Sequence, residues 1–316
     1  MSEADRAALH VAAGVLRDGE GRVLVQQRPD GRDHAGCWEF PGGKIDPGEE
    51  AGAALARELA EELGLDGVAS APRMRIPWAY PHRRVVLHVR EVTDWAGEPR
   101  GREGQALAWL HPEEMDDRPW PAANTPIIRA LQLPDRYLVT PTEPAAAEAW
   151  LDRVEAALAG GVRLVQLRRP DLGADDLVAL GERLRERCAA HGARLLVNGP
   201  EEAARALGAD GVHWSSRVLA ERPERPGWAS WVGASCHDAA ELALAAELGA
   251  DLAVLSPVQW TPSHPEQAPL GWRRFAELTA GAALPVYALG GVGSADIATA
   301  RAHGGQGIAA IRGLWP

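Results

Sequence analysis

Lysine is almost missing from this chain. Among its 33 basic residues only Lys44 is a lysine, so chemistry that needs a primary amine has one position available. Cysteine is scarce too: Cys37, Cys188 and Cys236 stand far apart with no metal-type spacing, so neither a disulfide framework nor a thiolate metal site is expected. A reducing cytoplasm fits that pattern. No apolar run approaches the ~18 residues that a membrane span requires. The opening MSEADRAALH carries acidic residues and no apolar stretch, so no signal peptide is expected. Positive charge is in deficit, 33 basic against 44 acidic side chains for a net charge of −11, and there is no long basic stretch. That balance argues against broad nucleic-acid or acidic-membrane binding, while a small anionic ligand can still meet a local site of opposite sign. Phenylalanine and tyrosine are rare, two and three residues, beside 12 tryptophans that read mostly as packing residues.

What is present is ordinary globular material, 46% hydrophobic and 24% charged, in a length of 316 residues that suggests two domains. From His10 to about Arg118 the strand-like runs are His10–Leu16, Arg22–Gln27, Val85–Val89 and Ala106–Leu110, with one strong helix over Glu49–Leu63 that ends at Gly64. This is an α+β pattern, a mixed sheet with flanking helices. From Tyr137 onward strand and helix alternate. Candidate strands are Arg136–Thr140, Leu164–Leu167, Leu195–Asn198, Gly211–His213, Trp231–Ser235, Leu252–Ser256, Val286–Leu289 and Gly307–Ile311. Helical stretches such as Pro144–Ala159, Asp175–His191 and Ala239–Leu248 lie between them. A weak repeat beginning at Leu158, Leu207, Leu248 and His303 sets glycine at a helix end before each new apolar strand. Eight such units predict an α/β (β/α)8 TIM-type barrel, with a doubly wound open sheet as the rival. The boundary is expected near Leu133–Asp135, where Pro134 breaks a helix, giving domains 1–133 and 134–316.

The informative stretch runs from Gly43 to Leu65. Glu58, Glu61 and Glu62 fall at i, i+3 and i+4 of one helix, a mildly destabilising set of like charges that a cation would reverse. Oxygen-only ligands favour a hard ion, Mg²⁺ or Mn²⁺. Three glutamates alone could equally form a solvated acidic face. The whole pattern goes further: Gly43, Glu49, Arg57-Glu58-Leu59, Glu61-Glu62 and Gly64-Leu65 match, without a gap, the box G-x5-E-x7-R-E-U-x-E-E-x-G-U of the Nudix family, U being a bulky aliphatic.

The lead-in Trp38-Glu39-Phe40-Pro41-Gly42-Gly43-Lys44-Ile45 resembles that of the MutT-type Nudix enzymes, which hydrolyse 8-oxo-dGTP. Gly101-Arg102-Glu103-Gly104-Gln105 is similar to their G-K-E-G-Q segment, and Pro121-Ala122-Ala123-Asn124-Thr125-Pro126 to their P-A-N-x-P turn, with the register opened by one residue. The resemblance covers about residues 8–133. It implies that Glu58, Glu61, Glu62 and Glu103, with the Gly42 carbonyl, hold Mg²⁺ on a pyrophosphate, and that Glu58 takes the proton of the attacking water. Arg57 would brace the glutamates and Glu49 support the loop. Arg28, Phe40, Tyr80 (in place of a phenylalanine) and Arg83 would line the nucleotide pocket. Asn124, whose amide both donates and accepts, would read the oxidised purine. The implied reaction is 8-oxo-dGTP plus water to 8-oxo-dGMP plus diphosphate, a cleansing of the nucleotide pool that serves DNA replication and repair.

The second half is similar to the thiamine-phosphate synthase/TenI family over about 136–312, through Tyr137-Leu138-Val139-Thr140, Val165-Gln166-Leu167-Arg168, Gly208-Ala209-Asp210-Gly211-Val212-His213, Gly233-Ala234-Ser235-Cys236-His237 and Leu289-Gly290-Gly291-Val292. The departures are serious. Pro170 stands where the family pattern has lysine, Gly199 follows Asn198 where it has a carboxylate, and Thr261-Pro262-Ser263-His264 replaces a lysine-ended loop. Synthase activity is expected to be lost. A phosphate-ligand site with Arg168, Asn198, His213, Ser235, Gly290 and Gly291 at the strand ends stands beside a purely structural or docking barrel as the alternative. Two further readings stay open: a Nudix half acting on thiamine-pathway pyrophosphates, and a barrel that senses a ligand or scaffolds the Nudix half. The expected partner is a small nucleotide, with no nucleic acid, no membrane and no defined oligomeric state.

Overall fold

The structure is a computed structural model that describes residues 8–29, 31, 33–143, 146–261 and 266–316. Contacts divide the chain into two compact units, Met1–Gln132 and Leu133–Pro316. No helix among the described residues is long and apolar enough to cross a membrane.

The first unit holds β1 (Leu9–Val15), β2 (Val23–Gln27), β3 (Trp38–Glu39), α1 (Ala51–Leu63), β4 (Asp66–Tyr80), β5 (Arg83–Ala96), β6 (Leu107–Leu110) and α2 (Thr125–Gln132). One sheet has the order β1-β5-β4, with β1 parallel and β4 antiparallel to β5; the other is antiparallel in the order β3-β2-β6. The two-residue alternation of β1 divides the core. Ala12 joins Leu24 and the α1 stripe Leu55, Leu59 and Leu63, whereas Ala13 and Val15 join Val25, Phe40, Ile76, Leu87 and Ile127. Helix α1 begins two residues later than the sequence suggests and ends as expected at Gly64, φ 73°, whose N–H donates to Ala60 O.

The longest strand, β4, was not anticipated, nor was the short β3. Pro72 and Pro77 hide β4 from a sequence reading, because proline cannot donate to a ladder. Here β4 is an edge strand with register shifts around Pro72, and an edge tolerates proline.

In the second unit eight parallel strands close a barrel in chain order: β7 (Arg136–Val139), β8 (Leu164–Leu167), β9 (Arg194–Val197), β10 (Gly211–Trp214), β11 (Trp231–Cys236), β12 (Leu252–Leu255), β13 (Val286–Leu289) and β14 (Gly307–Ala310). Each expected strand lies within one residue of these limits, and closure removes the open-sheet rival. The helix expected from Pro144 runs over Ala147–Ala159; Pro144 itself lies outside the described residues. The repeat glycines Gly161, Gly208, Gly249 and Gly304 have φ of 95°, 72°, 79° and 81°, the left-handed turn that returns the chain to the sheet.

The barrel interior carries an apolar floor, Tyr137, Leu164, Leu196, Leu252, Val254 and Tyr287, and a buried polar chain above it. Asn198 Nδ2 donates to Gln166 Oε1 at 3.0 Å and Gln166 Nε2 to the Tyr137 hydroxyl at 3.3 Å. Tyr137 meets His213 Nδ1 at 3.0 Å, and His213 Nε2 meets Ser235 Oγ at 3.0 Å. Gly233 makes room for the imidazole, since a Cβ there would stand 2.5 Å from His213 Nδ1. Burial pushes His213 down from 6.5 to about 3. A histidine that stays neutral when folded but charges when unfolded costs stability as pH falls below about 6.5 and down to about 3. Thermal unfolding at about pH 7 and about pH 5 is therefore expected to differ more for the wild type than for His213→Gln. Parallel curves for the two proteins would show that some other group carries the acid sensitivity.

Candidate active site

Helix α1 and the loop before it place the glutamates. Gly42 has φ 139°, and a Cβ there would come 2.2 Å from Ala12 O, so the loop lies directly on β1. A Cβ on Gly43 would come 2.2 Å from the Glu58 carboxyl carbon, so the missing side chain is what lets that carboxylate lie against the loop. Arg57 ties the parts together: Nε donates to Glu49 Oε1 at 3.1 Å, Nη1 to Glu58 Oε1 at 2.8 Å, and Nη2 to Glu49 Oε2 and Lys44 O, both at 3.0 Å. Glu49 also accepts from Asp46 N at 3.1 Å.

Glu62 is buried and accepts from Gln26 Nε2 at 2.9 Å. Burial pushes its carboxyl up to about 7; the Gln26 bond opposes this, and the charges of Glu39, Glu58 and Glu103 add to it. The loop carrying Glu103 is pinned to α1, with Gln105 Nε2 donating to Glu62 O at 3.1 Å and Gln105 Oε1 accepting from Glu103 N at 2.8 Å.

A cavity of about 350 Å³ joins these groups to the residues expected at a nucleotide pocket. Glu58, Glu62, Gly42, Gly43 and Lys44 line it, and so do Arg28, Glu39, Phe40, Tyr80, Arg83, Pro121 and Asn124. Asn124 is buried in a 3-10 turn (Ala122–Asn124), with Nδ2 3.4 Å from Pro121 O. The Tyr80 hydroxyl accepts from Ala123 N at 3.2 Å. Phe40 is buried and stacks on Trp120. Arg28 bonds Glu39 with Nη1 and donates from Nε to Asp33 O at 2.7 Å.

Two expected ligands stand apart. Glu61 is exposed, 3.7 Å from Arg57, and neither it nor Glu103 lines the cavity. Among the described residues no three His, Cys, Asp or Glu side chains are gathered as a metal centre. Glu58 and Glu62 line one cavity, whereas Glu61 departs from the expected shared carboxylate face. On α1 Glu58 turns to Gly43, Glu62 to Gln26 in β2, and Glu61 to solvent, because β2 and the loop draw the neighbours apart. The donor chemistry still suits a hard cation, since the charges of Glu39, Glu58 and Glu103 add to burial in raising the proton affinity of Glu62, and a divalent charge nearby would oppose that. Sequence reading missed Gln26 and Glu39 as partners of this site. Gln26 could have been found as the one inward polar residue of an apolar strand.

The barrel candidates do not converge either. A second cavity, of about 550 Å³, opens at the ends of β12, β13 and β14 between Ser256, Trp260, Gly290, Gly291, Arg312 and Gly313. Gly290 and Gly291 line it. Asn198, His213 and Ser235 belong to the interior hydrogen-bonded chain, and Arg168 is exposed with its N–H on Thr140 Oγ1. Of the six expected ligand residues, three share the interior chain and two line this cavity. Gly290 and Gly291 have φ of 94° and 70°, and Cβ atoms there would meet Pro257 at 2.9 Å and Trp260 O at 2.4 Å, so close backbone approach alone demands glycine. Pro262, Ser263 and His264 lie outside the described residues.

The family model described as NUDIX domain matches residues 12–130, and that described as thiamine monophosphate synthase matches residues 136–314. Over 127 residues the chain is 39% identical to the 8-oxo-dGTP diphosphatase of Haemophilus influenzae, which covers 40% of this chain and 93% of that protein. Over 120 residues it is 40% identical to the CTP pyrophosphohydrolase of Escherichia coli, with coverage of 38% and 87%. Over 181 residues it is 40% identical to a putative thiamine-phosphate synthase of Geobacter sulfurreducens, with coverage of 56% and 85%. The chain is an enzyme that belongs to the Nudix hydrolases through its first unit and to the thiamine monophosphate synthase family through its second.

Proposed function

We propose that the first unit is a divalent-metal-dependent nucleoside triphosphate pyrophosphohydrolase that converts 8-oxo-dGTP and water to 8-oxo-dGMP and diphosphate. The observation that carries this reading is the shared cavity, in which Glu58 and Glu62 face the same space as Arg28, Tyr80 and Asn124. The substrate is taken from the 8-oxo-dGTP diphosphatase likeness. Glu58, Glu61, Glu62 and Glu103, with the Gly42 carbonyl, would hold Mg²⁺ or Mn²⁺, which supplies charge neutralisation on the pyrophosphate and orientation of the attacking water. Glu58 accepts the proton of that water, held in place by Arg57. Lys44 lines the same cavity and would offer a point charge to the phosphates. Asn124 presents a donor and an acceptor to adjacent edges of the purine, so a base lacking the complementary groups leaves buried polar atoms unpaired.

A second reading, hydrolysis of a cytidine triphosphate, is favoured by the likeness to CTP pyrophosphohydrolase. One panel of 8-oxo-dGTP, dGTP and CTP, with Mg²⁺ and diphosphate release as the readout, separates the two; higher kcat/KM for CTP would replace the first reading with the second. For the barrel, we infer a retained phosphorylated ligand at the Gly290–Gly291 cavity, beside Arg312, and loss of the synthase step. Pro170 and Gly199 remove a lysine and a carboxylate, and the unit contains no lysine to replace them.

Three outcomes are expected. Glu62→Gln should lower kcat by roughly 100-fold or more while leaving thermal unfolding intact, as loss of a metal-holding carboxylate does; near-normal turnover would remove Glu62 from the machinery. Asn124→Ala should cut the preference for 8-oxo-dGTP over dGTP by about tenfold or more, because it removes a buried paired amide. An unchanged ratio would place purine reading elsewhere. The full chain, given both substrates of thiamine-phosphate synthesis and Mg²⁺, should form no thiamine phosphate, and steady product formation would show that the barrel keeps its reaction.

A further inference from the structure

Three residues of the loop between β2 and β3 adopt left-handed backbone: Gly31 at φ 84°, Gly36 at 77° and His34 at 58°. Glycine does this without steric cost; asparagine, aspartate and histidine do it more often than other side chains, yet still uncommonly. Only one other described non-glycine residue, Arg222, does the same. His34 is exposed and adds nothing to the core, so its side chain contributes no burial to offset that backbone. Its ring lies at the cavity, 5.6 Å from the Tyr80 ring at 43°.

The backbone on both sides of His34 is tied to its neighbours. Arg28 Nε donates to Asp33 O, and the Asp33 carboxylate pairs with Arg83 Nη1 at 3.1 Å, while Cys37 N donates to His34 O at 3.1 Å. Arg83 in turn lies 5.8 Å from the centre of the Tyr80 ring, and the Tyr80 hydroxyl takes the N–H next to Asn124. His34, Tyr80 and Asn124 therefore line the cavity through one connected set of contacts, built on different elements from the carboxylates of α1.

We propose that His34 is a base-contacting specificity residue, and that the nucleobase of the triphosphate packs against its imidazole and Tyr80. This rests on the nucleotide reading given above. A planar imidazole offers a face for stacking and two ring nitrogens for a base edge, which a glycine would not. An exposed ring that packs beside Tyr80 at the cavity, on backbone that glycine adopts without cost, is where a functional side chain is expected.

The test uses the full chain with His34→Gly and His34→Asn, both comfortable in left-handed backbone and both lacking the ring. Steady-state hydrolysis is measured with 8-oxo-dGTP, dGTP, CTP and a base-free deoxyribose 5′-triphosphate, beside thermal unfolding. The expected result is a KM for the preferred nucleotide about tenfold higher, as loss of one base-stacking partner produces. The base-free compound should be handled as by the wild type, and His34→Gly should unfold at the same or a higher temperature. Unchanged nucleotide KM in both variants overturns the proposal. Equal losses on nucleotide and base-free substrates also overturn it, since they would reveal a loop-shaping role. A wild-type protein that cleaves none of the nucleotides overturns the nucleotide reading and this inference with it, an outcome distinct from active wild type with indifferent variants.

Discussion

Arg57 serves four acceptors with one guanidinium: both oxygens of Glu49, one of Glu58, and the Lys44 carbonyl. Two of these partners belong to the loop before α1 and one to the helix, so a single planar group sets the distance between them. Charge-assisted bonds of this geometry hold tighter than neutral ones. Gly43 completes the constraint, because any side chain there would enter the space of the Glu58 carboxylate. The position of the Glu58 carboxylate against the loop before α1 follows from this joint.

The two units solve the same problem in different ways. In the first, charged groups are kept near the surface of a small sheet assembly and are held by other charges. In the second, polar groups are carried into the middle of a barrel and are held by neutral hydrogen bonds, with burial keeping His213 uncharged and raising the Tyr137 hydroxyl above its ordinary value. Gln166, Tyr137 and His213 in the middle of that chain are buried, so each must find its partner inside the protein.

Much of this was legible in the residues. The barrel could be read because each strand is a short apolar run fenced by helix-ending glycines, two signals that agree. The Nudix helix could be read from Leu55, Leu59 and Leu63 and from Gly64. What escaped was governed by tertiary context. β4 carries two prolines that only its edge position excuses. Spacing gave the helical positions of Glu58, Glu61 and Glu62 but not the direction each carboxylate takes, which Arg57, Gln26 and solvent decide separately. The strand-end candidates of the barrel looked like one site in sequence, yet Asn198, His213 and Ser235 turn inward while Gly290 and Gly291 line another cavity.

The interior chain of the barrel also has a sense of travel. Asn198 gives a proton to Gln166 Oε1, which leaves the Gln166 amide nitrogen facing Tyr137. With Tyr137 accepting there and giving its own hydrogen to His213 Nδ1, a neutral imidazole carries its hydrogen on Nε2. That hydrogen goes to Ser235 Oγ, so the hydroxyl at the far end keeps its own proton for whatever lies beyond. In that arrangement the amide at β9, the tautomer of the histidine on β10 and the polarity of the serine on β11 are linked. An acid in place of that amide could only accept, and the whole row would have to run backwards.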